Sequence, residues 1–117
     1  MAPLTDTGNR ATACILTEAA GHRSRDNIAL KSGSGIIAPN TVLAKDGETY
    51  VPAAAAGTAV AIALYGGDTT DGDVFVAALT CDAEVNIHTL IFAPDVTTPA
   101  ARATKIDQLR AVGIVAR

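Results

Sequence analysis

Several side chains in this sequence have the right chemistry for a site. Asp68, Asp71 and Asp73, with Asp82 nearby, offer hard oxygen ligands of the kind calcium takes. Thr69-Thr70 interrupts the run and no Glu follows at loop spacing, so the calcium-hand pattern is broken and a solvated acidic loop is the reading. His22 and His88 with Cys14 and Cys81 supply zinc-type ligands, but no CxxC or HxxxH spacing joins them. The Ser and Asp residues allow a nucleophilic triad to be assembled, yet no G-x-S-x-G elbow accompanies one. Ser32-Gly33-Ser34-Gly35 has the composition of a phosphate-cradling loop without the Lys and helix that should follow it. No catalytic residue, cofactor or metal is expected.

The elements that would position these groups are short. The chain has 117 residues, enough for one domain. Hydrophobic residues reach 49% but aromatics only 3%, and much of the apolar count is Ala. Hydrophobic stabilisation scales with buried area, at roughly 25 cal/mol per Å², so an Ala-rich domain is marginal alone and is expected to oligomerise. The net charge is −3 and the Lys and Arg residues are scattered. No basic stripe for nucleic acid and no span for a bilayer is expected. Residues 1–20 lack the charged start and continuous apolar stretch of a secretory signal, so a soluble protein made in the cytoplasm is expected. Cys14 and Cys81 are expected to be free thiols.

Between Ala2 and Ala20 the large apolar side chains are Leu4, Ile15 and Leu16, with no period linking them. This stretch reads as an arm that lacks a core of its own. Strands are expected over Asn27–Lys31, Thr41–Ala44, Glu48–Val51, Thr58–Leu64, Val74–Cys81 and Glu84–His88, with Asp46-Gly47 as a hairpin turn. Thr58, Val60, Ile62 and Leu64 alternate with Ala59, Ala61 and Ala63, giving one large and one small face. Thr97-Thr98-Pro99 starts a helix over Ala100–Ala111. Its apolar stripe is Ala103, Ile106, Leu109 and Val112, with Arg102, Lys105 and Arg110 outward. Gly113 ends it, and Ile114-Val115-Ala116 returns as a last strand. The class is mainly β with one C-terminal helix. Lys45 beside the hairpin faintly resembles the modified Lys of lipoyl or biotinyl carrier domains. The tip here is Asp46-Gly47, so that signature fails.

Glu18, Ser24-Arg25-Asp26, the Ile28/Leu30 strand, the Gly33/Gly35 break, Thr41-Val42-Leu43, Ala61-Ile62-Ala63-Leu64 and the helix ending at Gly113-Ile114 occur in an order that resembles the lambda-type head decoration proteins of tailed phages. The resemblance covers roughly residues 18–117. Asn40 stands where such families usually place Gly, and Asn also tolerates a left-handed backbone. The resemblance implies a β-clip-like domain over 22–117 behind an N-terminal capsid-binding arm over 1–21. It implies a homotrimer on the outer surface of the phage head, binding the major capsid protein at threefold and quasi-threefold sites and cementing the expanded shell. The arm residues expected at the capsid are Thr12, Ala13, Cys14, Ile15, Leu16, Thr17 and Glu18. Ser24, Arg25 and Asp26 form the family motif. The alternatives are a trimeric β-clip enzyme of dUTP pyrophosphatase type, whose Gly-rich C-terminal tail is missing here, and a tail-associated or adhesion domain.

Overall fold

The computed structural model describes residues 11–19 and 23–117. The strands are β1 (Ile15–Glu18), β2 (Arg25–Leu30), β3 (Ile36–Ile37), β4 (Val42–Asp46), β5 (Thr49–Pro52), β6 (Ala59–Ala63), β7 (Gly67–Asp68), β8 (Val74–Leu79), β9 (Ala83–Val85) and β10 (Ile114–Ala116), with one helix, α1 (Pro99–Ala111). The molecule is mainly β with a single C-terminal helix. A 3-10 turn, Ile87–Thr89, ends what the sequence suggested was a strand to His88.

The centre is a closed barrel in the order β2-β5-β4-β6-β8. The β4–β5 hairpin pairs Asp46 with Thr49, so its loop is Gly47-Glu48. Gly47 carries the positive φ of 63° that the first position of a type II′ turn demands. The barrel is too narrow for large side chains from every strand. Ala61, Ala63 and Ala78 therefore share its interior with Ile28, Leu30, Leu43 and Val76. On the outer side of β4 and β6, Val42, Ala44, Ala59, Ile62 and Leu64 belong to a second core with Leu79, Val85, Leu109 and Ile114. This core is covered by α1 and by a separate sheet in the order β1-β9-β10. The expected two-faced β6 is present with one exchange. The β4–β6 register shifts between Leu43 and Ala44, where Ala61 and Ala59 are the successive partners. Val60 is thus the extra residue of a bulge, which puts Ala59 in phase with Ile62.

Helix α1 starts as its sequence dictates. Thr98 Oγ1 accepts from the Ala101 N–H at 3.1 Å and Pro99 follows the cap. Gly113, at φ 89°, ends it. The inward stripe differs from expectation by about one position. Lys105 and Leu109 are the buried residues, while Ala103 is exposed. Lys105 Nζ donates to the carbonyls of Ala55, at 3.2 Å, and Gly57. Gln108 Oε1 accepts from the Ala59 N–H at 2.8 Å. The 53–59 segment turns backbone groups toward α1, and two polar side chains of the helix meet them, which shifts the inward face away from a purely apolar stripe.

The larger correction concerns the arm. Residues 1–10 and 20–22, with His22 among them, lie outside the described residues. Residues 11–19, expected to lack a core, are built into the domain. β1 pairs antiparallel with β9 from Ile15↔Val85 to Glu18↔Ala83. Cys14 is fully buried in the outer core. A short segment with few apolar residues folds here because its surface is completed by β9, distant in sequence.

Candidate functional site

Residues 12–18 are pinned at several points. The Thr12 N–H donates to Leu64 O at 3.1 Å, and the Cys14 N–H to the Asn40 side-chain oxygen at 3.3 Å. The Asn86 N–H donates to Cys14 O at 2.7 Å. Asn40 sits at φ 69°, the left-handed conformation anticipated for this position. The residue thus supplies both the turn and an acceptor that Gly lacks. Burial pushes the Cys14 thiol up to about 11. Ile15 packs against the outer core, whereas Leu16 lies at a register shift of β1 and is 51% exposed. Ala13 and Thr17 are exposed, and Thr17 Oγ1 donates to Glu84 Oε1 at 3.1 Å. Arg117 also pairs with Glu84, and the two donors hold that carboxylate below its usual range.

Glu18 and the Ser24-Arg25 pair come together where β1 ends and β2 begins. Ser24 Oγ donates to Glu18 Oε2 at 2.6 Å. Arg25 reaches the same carboxylate through Nε, at 3.0 and 3.2 Å, and through a terminal nitrogen at 2.7 Å. This two-pronged geometry is the strong form of an Arg–carboxylate contact, and it raises the Arg25 pKa further. Ser24 is fully buried and its carbonyl accepts from the Thr80 N–H at 2.9 Å. Asp26, the third motif residue, is exposed and outside this cluster. The arrangement is a staple between β1 and the barrel.

The acidic and thiol groups do not assemble. Asp68 accepts from the Thr70 N–H at 3.0 Å and its hydroxyl at 2.5 Å, and Asp73 accepts from the Ser32 N–H at 2.7 Å. Cys81 Sγ donates to Arg23 O at 3.1 Å, and both cysteines are free. Among the described residues no three His, Cys, Asp or Glu side chains gather for a metal, and no helix is long and apolar enough to cross a membrane.

Comparison with known proteins gives this surface its context. The family model for bacteriophage lambda head decoration protein D matches residues 4–114. The chain belongs to this family. None of the curated proteins matches it. A lambda-type head decoration protein is a structural protein of the virion, bound to the phage capsid surface. In this decoration protein the motif glutamate, serine and arginine make internal contacts. The sequence placed Glu18 in the capsid-binding arm and Ser24 and Arg25 in the domain, without foreseeing that the three join the arm to the barrel. It also missed buried Lys105 and half-buried Gln108 as anchors. The signal available was the run of backbone-rich small residues, Ala53–Gly57, between strands.

Proposed function

We propose that this decoration protein acts without catalysis, as a β-clip-type homotrimer at the threefold and quasi-threefold sites of the expanded head, clamping neighbouring major capsid subunits against the outward pressure of packaged DNA. The family match over residues 4–114 carries this reading. Two features of the molecule support the finer parts. β1 is an edge strand of its sheet, paired on one side with β9. A capsid strand adding to the other side would gain main-chain hydrogen bonds at low entropic cost, since residues 15–18 are already extended. Thr12–Glu18 remain the proposed contact segment, with exposed Leu16 and Thr17 meeting the shell. Ile36 at 81% exposure, Phe75 at 76% and Tyr65 at 47% are large apolar groups in a protein poor in them, which fits burial between protomers.

The test is decoration of expanded heads that lack the protein. Cosedimentation should saturate, and decorated heads should rupture at a higher temperature than bare ones. Failure to cosediment would refute the proposal.

A further inference from the structure

A cleft of about 580 Å³ opens between the 87–97 segment and α1. Ile87, Leu90, Phe92, Val96 and Ile106 give it an apolar lining, and His88 and Arg102 share its wall. The Arg102 guanidinium lies 5.6 Å from the Phe92 ring centroid. Attraction to the ring face holds the cation at the cleft without neutralising it. Among the described residues neither Arg102 nor His88 has a carboxylate partner. Of the two acids next to lining residues, Asp95 is engaged by the Ala55 N–H at 3.1 Å, and Asp107 is exposed and makes no ion pair with Arg102.

Arg102 also sits badly for its own helix. It is the fourth residue of α1, near the positive end of the helix dipole, and the first turn holds no acidic residue to compensate. Arg102 is exposed there beside apolar walls, and its side-chain donors have no partner among the described residues, so it matches a carboxylate flanked by an apolar group. The chain has a net charge of −3, so it exerts no overall pull on an acidic segment, and the attraction is local to this cleft.

We propose that the cleft binds an acidic, apolar-flanked peptide segment of a partner protein. A large apolar side chain enters among Leu90, Phe92 and Val96, and the adjacent carboxylate meets Arg102, with His88 as a second donor. The cleft is lined by no residue of β1 and by none of Ile36, Tyr65 or Phe75, the residues proposed to meet other protomers, so it is tested without heads.

The experiment titrates acetyl-Leu-Glu-Phe-Glu amide, and separately acetyl-Leu-Lys-Phe-Lys amide, into the isotope-labelled full chain and follows amide shifts. The acidic peptide is expected to move signals of residues 87–97 and 102–106, and the basic one is not. Arg102→Glu should weaken the acidic peptide about tenfold, as a charge reversal at a contact does. Because a Glu at this position favours the helix dipole, the variant should fold at least as well, and a denaturation curve checks that. Equal binding of both peptides, shifts elsewhere, or no shift up to about 10 mM peptide would overturn the proposal. So would movement of the same signals on diluting the protein alone, which would make a second copy the occupant.

Discussion

Lys105 is a charged residue spent on structure. It is 1% exposed, and its ammonium satisfies two loop carbonyls that no backbone donor reaches. Lys105→Met keeps the buried stem and removes the donor. It should cost about 1 kcal/mol in urea unfolding, the range for a hydrogen bond whose part-exposed acceptors can turn to water. Cys14 makes a different prediction. Its raised pKa means that folding favours the protonated thiol. That stability is fully present below the ordinary value of 9.0 and is lost as pH rises toward about 11. Native protein at neutral pH should therefore show one quickly titrating thiol, the partly exposed Cys81, and Cys14 should react only on unfolding. Equal rates for both thiols would contradict the burial of Cys14 in the outer core.

At the scale of elements, β1 depends on its staple. Glu18→Ala removes the acceptor of a buried serine hydroxyl and of the two-pronged arginine contact. Because the Arg25 pair is partly exposed, most of the loss should come from Ser24, about 1–2 kcal/mol in total. Hydrogen exchange should show the amides of β1 opening while those of β8 stay protected. One pair along from the staple in the same sheet, Arg117 and Thr17 hold Glu84 in its charged form. That contribution is present above the ordinary carboxylate range and disappears as pH falls through the lowered folded value, so Arg117→Ala should move the Glu84 titration upward when followed by NMR. Asn40→Gly keeps the left-handed turn but deletes the acceptor for Cys14 N–H, and a loss of about 1 kcal/mol is expected.

At the scale of the whole molecule, the surface argues for partners. Salt should leave the proposed trimer intact, because its proposed contacts are apolar and the charges are scattered. Phe75→Asp should shift sedimentation toward monomer, since it places a charge where an exposed ring is proposed to be buried. Leu16→Asp should leave the trimer unchanged and weaken head binding only modestly, because main-chain pairing at β1 survives it. A Phe75→Asp protein that remains trimeric would move the proposed interface away from β8.

Local rules were enough for much of this protein. Thr98-Pro99 and Gly113 bound the helix, Gly47 turns the hairpin, Asn40 takes the left-handed backbone, and the alanines of β6 permit packing on both faces. Each depends on neighbours in the chain, so each is legible without a fold. The order of those elements also carried the family resemblance. Tertiary structure decided what distant residues complete. Residues 11–19 looked coreless because their partners, β9 and Asn40, lie far along the chain. Lys105 looked like a surface residue because the carbonyls it serves come from the 53–57 loop. Helical period specifies that a stripe faces inward, but not what awaits it there. Where the neighbour is backbone in need of partners, a lysine and a glutamine outside the apolar stripe turn inward beside Leu109.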